Sequence, residues 1–147
     1  MDIEFCELEK KHLESLMNLY RQFGIPADKT TDIELIFEDS LNKGVKYFGA
    51  IKEDTVISTC YIAVIPNLTH YGRPIGFIEN VITDEKYRRQ GLGRKVMQLA
   101  INYAKEQNCN KVCLLSGSHR TEAHKFYKDL GFDGDFKRGF VITFWDY

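Results

Sequence analysis

The sequence predicts an α/β fold in which helices flank a mixed sheet, and three observations carry that reading. A largely apolar run, Ile75 to Thr83, leads through a glycine loop into an amphipathic helix, and a second apolar run follows. Strand, helix, strand in that order requires a parallel pair joined by a crossover. Upstream, Val45 to Lys52 and Val56 to Ile65 close around Glu53-Asp54-Thr55 as an antiparallel hairpin. No repeat, low-complexity tract or linker breaks the 147 residues, so a single domain over 1–147 is the economical organisation.

The elements follow from periodicity and breakers. Ile3 to Leu8 reads as a first strand. Lys10 to about Phe23 reads as a helix with Leu13, Leu16, Met17 and Tyr20 on one face, ended by Gly24-Ile25-Pro26. Thr31 or Asp32 caps a second helix to about Asn42, with Ile33, Ile36, Phe37 and Leu41 inward and Gly44 as the stop. After the hairpin comes a polar loop, Asn67 to Pro74, and then the strand containing Glu79. The long helix runs from about Gly91 to Glu106, with Leu92, Val96, Leu99 and Tyr103 forming its apolar stripe. Lys111 to Ser116 is the next strand, Thr121 to Leu130 a helix closed by Gly131, and Phe140 to Trp145 a last strand.

Composition narrows the function classes. A net charge of −1 gives no electrostatic support for nucleic-acid binding. The chain shows neither a signal-peptide pattern nor an apolar run of spanning length, so a soluble cytoplasmic protein without membrane contact is expected. Cys6, Cys60, Cys109 and Cys113 contain no Cys-x-x-Cys pair and are expected as free thiols. With His119 and His124 they match no common zinc spacing, so no metal is expected.

The stretch Tyr87-Arg88-Arg89-Gln90-Gly91-Leu92-Gly93-Arg94-Lys95 carries the chemistry. Its glycines let main chain approach a ligand closely, and first-turn amides have no partner inside a helix. With the basic side chains around them they make a phosphate cradle. A P-loop needs Gly-Lys-Ser or Gly-Lys-Thr, yet Gly93 is followed by Arg94-Lys95-Val96. A dinucleotide fold needs three spaced glycines in the first unit of a repeating βαβ pattern, whereas this loop has two and lies past mid-chain. What remains is a diphosphate held by an Arg88-x-x-Gly91-x-Gly93 spacing.

That spacing, its preceding strand and the later Phe126-Tyr127-x-x-x-Gly131-Phe132 segment resemble the GNAT superfamily of acyl-CoA-dependent N-acetyltransferases. The likeness can be followed from about Val45 to the C-terminus, with both motifs in the family's order. It implies a mostly antiparallel mixed sheet, acetyl-CoA as co-substrate and a primary amine, on a small molecule or a peptide, as acceptor. Coenzyme contacts are implied at Val81, Ile82, Thr83, Arg88, Arg89, Gln90, Gly91, Leu92, Gly93 and Arg94. The strand edge at Val81 to Thr83 would take the pantetheine arm as an added strand. The position where the family often carries asparagine is here Arg120. Homodimers, common among relatives, are a further implication.

Amine acetylation needs a neutral amine, a seat for the oxyanion and a proton for the departing thiolate. Glu79 stands among Phe77, Ile78, Val81 and Ile82, where desolvation is expected to raise its pKa toward that of a general base. A satisfied acid paired with a basic residue is the plainer alternative. Tyr127 matches the family's tyrosine; a phenol with pKa about 10 can protonate a thiolate whose acid has pKa about 8.5. Packing of its helix is the competing role. Related glucosamine-phosphate N-acetyltransferases carry Ile-Glu-Asp where this chain has Ile78-Glu79-Asn80, so the second acid is missing. Tyr71, Arg73 and Asn80 are candidate acceptor contacts. No sequence feature marks a nucleophilic cysteine, so direct attack within a ternary complex is expected. A non-catalytic acyl-CoA sensor on the same fold is the rival reading.

Overall fold

A computed structural model describes residues 2–25 and 31–144. The chain forms β1 (Glu4–Glu7), α1 (Leu13–Tyr20), α2 (Ile33–Asn42), β2 (Val45–Lys52), β3 (Thr55–Ile65), β4 (Ile75–Thr83), α3 (Leu92–Glu106), β5 (Lys111–Leu114) and α4 (Thr121–Asp129). The strands make one sheet in sequence order, β1-β2-β3-β4-β5, with the first three pairings antiparallel. At the far side the Asn110 amide donates to the Pro74 carbonyl at 2.7 Å, tying the starts of β4 and β5 together. Two neighbouring strands that start at the same end and are joined through a helix run parallel. The sheet is mixed and mostly antiparallel, as expected.

The chain divides into two compact units, Met1–Cys113 and Leu114–Tyr147. In the first, each sheet face has its own core. On one face Leu13, Leu16 and Leu19 of α1 and Phe37 of α2 bury with Leu8, Ile51, Val56 and Ile82. Burying such side chains contributes roughly 1.5–3 kcal/mol each. On the other, Val96, Met97, Ala100 and Ala104 of α3 are buried, and Phe48 of β2 meets the Tyr103 ring at 5.8 Å.

Several elements differ from expectation in instructive ways. The first helix begins and ends as 3-10 turns, Lys10–His12 and Arg21–Phe23, so its α-helical part is only eight residues. The expected stop at Gly24-Ile25-Pro26 extends past the described residues at Pro26, and Gly24 closes the turn with φ 78°. In α2 the Asp32 carboxylate caps Leu35 N at 3.1 Å, but only Phe37 is buried. Ile36 and Leu41 are exposed at 54% and 39%, so the apolar stripe assigned from spacing exceeds what the sheet covers. The β2–β3 hairpin turns on Glu53 and Asp54, both left-handed (φ 49° and 62°), the geometry of a two-residue turn without glycine. Residues 140–144 carry no strand, and Trp145 of the expected last strand lies outside the described residues.

Candidate functional site

The glycine bend joins the end of β4 to the start of α3. It is anchored from behind: Asp84 N donates to Ile57 O at 2.8 Å and Tyr87 N to Asp84 O at 2.8 Å. The Asp84 carboxylate accepts from Lys86 N, Gln22 Oε1 accepts from Glu85 N, and Arg88 Nε donates to Thr83 O at 3.1 Å. The next main-chain amides, from Arg89 through Gly93, donate to no group among the described residues. Arg89 (φ 64°) and Gly91 (φ 78°) are both left-handed, and Gly91 is the N-cap of α3. Left-handed residues this close fold successive N–H groups toward one side, as in an anion-binding nest. A Cβ built on Gly91 would meet nothing within 4 Å, so the concavity is open. Unpaired amides at the positive end of a helix dipole suit a diphosphate, and Lys95 of the first turn lies 5.1 Å over the Phe5 ring.

One strand earlier, β4 is broken by a bulge that the sequence reading missed. Thr59 pairs with Ile82 and Tyr61 with Glu79, so one residue of β3 faces two of β4, and Asn80 is left-handed at φ 52°. Asparagine tolerates that conformation better than most residues. The extra residue turns Glu79 and Ile82 onto the same sheet face although they are three apart. Glu79 is half-buried there and Asn80 exposed. Past the bulge, Val81, Ile82 and Thr83 run toward the glycine bend. β5 has four residues to β4's nine and starts level with it, so it accompanies only the first half of β4.

The second unit explains the other motif. α4 ends with Gly131 N donating to Lys128 O at 2.9 Å and Phe132 N to Tyr127 O at 3.0 Å. These two bonds around a left-handed glycine (φ 105°) are a Schellman motif. Its usual apolar contact is the Tyr127–Phe132 ring pair at 6.1 Å, with Phe126 at 5.2 Å from Tyr127 on the other side. Tyr127 is buried at 9% exposure. The Phe-Tyr-x-x-x-Gly-Phe pattern is therefore a helix-termination device as well as a candidate acid. Arg120, at the position of interest before α4, is exposed and serves as that helix's N-cap residue.

Two residues expected as acceptor contacts, Tyr71 and Arg73, lie just before β4. Tyr71 is fully exposed, and Arg73 gives Nε to Asn108 O at 3.2 Å and Nη2 to Cys109 O at 2.9 Å, closing the end of α3. Both sit at the start of β4, roughly 30 Å along the strand from the glycine bend by strand rise. An open cleft of about 470 Å³ lies among α1 residues, the β2–β3 turn and Asp84, and another of about 400 Å³ beside Pro66 to Pro74. Neither is lined by Glu79 or by the glycine bend.

The four cysteines are unbridged. Burial pushes the Cys60 thiol up to about 12, and burial also raises Cys6 and Cys109, so these three are held as thiols rather than nucleophilic thiolates. Among the described residues no cluster of three or more His, Cys, Asp or Glu could hold a metal ion, and no helix is long and apolar enough to cross a membrane.

Known proteins place this geometry in context. Residues 13–132 match the model of the Acetyltransferase (GNAT) family. A glucosamine 6-phosphate N-acetyltransferase of Trypanosoma brucei brucei is 28% identical over 136 residues, 90% of each chain. A solved structure of a putative acetyltransferase from Agrobacterium tumefaciens superposes with a TM-score of 0.88 at 35% identity, covering 95% of this chain and 99% of that one. A predicted acetyltransferase from Clostridium acetobutylicum, solved with acetyl-CoA, shares the fold with a TM-score of 0.73 at 24% identity, covering 95% and 96%. With that match over residues 13–132, the chain belongs to the GNAT family of acetyltransferases.

Proposed function

We propose that the protein transfers the acetyl group of acetyl-CoA to a primary amine by direct attack within a ternary complex, the chain acting as one catalytic domain. The observation that carries this reading is the run of unpaired amides from Arg89 to Gly93 at the start of α3. In this reading those amides, with Arg88, Arg89 and Arg94 around them, hold the coenzyme diphosphate, and Val81 to Thr83 align the pantetheine arm. Glu79, directly or through one water, takes a proton from the ammonium. The nitrogen forms its bond to the acetyl carbon, main-chain amide near Val81 steadies the oxyanion, and the carbon–sulfur bond breaks. Tyr127 protonates the leaving thiolate, and the second nitrogen proton restores it through solvent. The raised thiols of Cys6, Cys60 and Cys109 support direct attack over an acyl-cysteine.

The test combines thermal melting with thiol release. Acetyl-CoA should raise the melting temperature, ATP should not, and free thiol should appear with an amine present. Coenzyme stabilisation with no turnover on any amine would favour a sensor instead. Absence of stabilisation by acetyl-CoA would refute the reading.

A further inference from the structure

Pairing of main-chain amides stops abruptly along the bend. Asp84 N, Glu85 N, Lys86 N and Tyr87 N each donate to a group of the chain, whereas those from Arg89 to Gly93 donate to none among the described residues. The open amides converge on an anion only if the residues before them are held still, since donors fixed in advance lose little freedom on binding. The sheet supplies part of that hold. Ile57 O of β3 accepts from Asp84 N at 2.8 Å, Ser58 Oγ lies 2.8 Å from Thr83 Oγ1, and Lys52 of β2 sits 5.2 Å over the Tyr87 ring. Glu85 N is held differently. It reaches into the helix layer, donating to Gln22 Oε1 at 3.1 Å across 63 positions of sequence.

Gln22 has a firm base. Leu13, Leu16 and Leu19 bury α1 in the same core as Ile82 of β4, three residues before Glu85. The 3-10 turn Arg21–Phe23 carries Gln22 at the end of that helix, and Gly24 closes it with φ 78°. The Tyr20 and Phe23 rings, 5.8 Å apart, bracket the turn. On the other side, Glu85–Tyr87 is itself a short 3-10 turn, whose first amides have no partner inside it. The Asp84 carboxylate takes one of them, at Lys86, and Gln22 takes the other, at Glu85.

We propose that Gln22 is a positioning residue for the coenzyme: by accepting from Glu85 N it fixes the turn that aims the Arg89–Gly93 amides, so the first helix sets the affinity of the bend for the diphosphate. This rests on the reading of the bend as the diphosphate seat. Gln22 and Glu85 are exposed, and Gln22 lines the cleft of about 470 Å³ beside Asp84. Water therefore replaces part of the bond when it is lost, and the effect is graded rather than absolute. A second tie from the same helix supplies the contrast. Ser15 Oγ accepts from Val56 N at 2.8 Å, joining α1 to the sheet rather than to the bend. β3 is paired on both sides and stays in place without that bond. Were both ties to serve stability alone, the two side chains would be equivalent toward the coenzyme.

The experiment compares Gln22→Met, which keeps the side chain's length and removes its strong acceptor, with Ser15→Ala. Calorimetry gives the Kd of acetyl-CoA and of S-acetylpantetheine, which carries the thioester arm without the diphosphate. Gln22→Met should weaken acetyl-CoA about 3–10-fold, with Tm nearly unmoved. Its Kd for S-acetylpantetheine should match that of the parent chain, because the penalty follows the diphosphate. Ser15→Ala should lower Tm by about 3–6 °C and leave the acetyl-CoA Kd as it was. An unchanged acetyl-CoA Kd in Gln22→Met overturns the proposal and leaves the bend as the diphosphate seat. Equal weakening in Ser15→Ala, or an equal loss toward S-acetylpantetheine, overturns it as well, by showing a general loosening instead. Failure of the parent chain to bind acetyl-CoA overturns the reading of the bend and the role of Gln22 with it.

Discussion

Replacing Gly91 by alanine separates backbone geometry from every other property of the coenzyme bend. Gly91 holds φ 78°, and an added Cβ would meet no atom within 4 Å, so alanine introduces strain without a clash. Left-handed backbone costs a non-glycine residue roughly 1–2 kcal/mol. Two responses are open to the variant: it keeps the bend and loses stability, or it leaves the left-handed region and scatters the amides of residues 89–93. Gly24 supplies the control. It has the same φ of 78°, the same empty surroundings, and sits at the end of the first helix rather than at the start of α3. Gly91→Ala and Gly24→Ala should each lower Tm, by at most about 3–8 °C for a chain of this size. Only Gly91→Ala should weaken acetyl-CoA, by about 5–30-fold if the strain is released on binding-site distortion. Melting curves and isothermal titration with acetyl-CoA measure both. Equal coenzyme affinity in the two variants, with Gly91→Ala folded, would refute the role given to the bend.

Other consequences can be checked alongside. Glu79→Gln should lower kcat by roughly 100-fold or more with the acetyl-CoA Kd retained, and unchanged turnover would remove Glu79 from the chemistry. Tyr127→Phe should slow thiol release with little change in amine KM; a change confined to Tm would leave Tyr127 only its part in the α4 stop. Because burial lifts the Cys60 thiol to about 12, the folded state binds its proton more tightly than the unfolded chain. That contribution is fully present below the ordinary thiol pKa and is lost as pH rises toward about 12, so denaturant midpoints should decline over that window and less steeply in Cys60→Ala. Asp32→Ala should cost about 1 kcal/mol through loss of the cap on Leu35 N, read from chemical denaturation.

The parts of the fold that were legible in the residues are those governed by local chemistry. Ile75 to Thr83 emerges as a strand because its apolar run is bounded by Pro74 and Asp84, and the long helix because its stripe recurs at helical spacing. What escaped depends on register. A shift between Ala50 and Ile51 of β2 against β3 sets Tyr47 opposite Tyr61. A single-residue slip would have turned one of them to the other face, and no residue marks it, since glycine and proline are absent from that stretch of β3. The Asn80 bulge is similarly hidden: only the tolerance of asparagine for left-handed backbone hints at it. α2 was overread because the four apolar residues expected inward imply a buried stripe, whereas only Phe37 is buried, Ile33 packs partly against the core, and Ile36 and Leu41 stay exposed. Gly131-Phe132 was read as a family motif, and its physical basis, a Schellman stop with a Tyr127 contact, becomes visible only with the hydrogen bonds in place.

The most direct trial of the central claim follows the backbone amides by nuclear magnetic resonance as acetyl-CoA is added. The N–H signals of Arg89, Gln90, Gly91, Leu92 and Gly93 should move first and furthest, and coenzyme A lacking the acetyl group should move them equally. Signals from that stretch standing still while others saturate would place the diphosphate elsewhere and contradict the account.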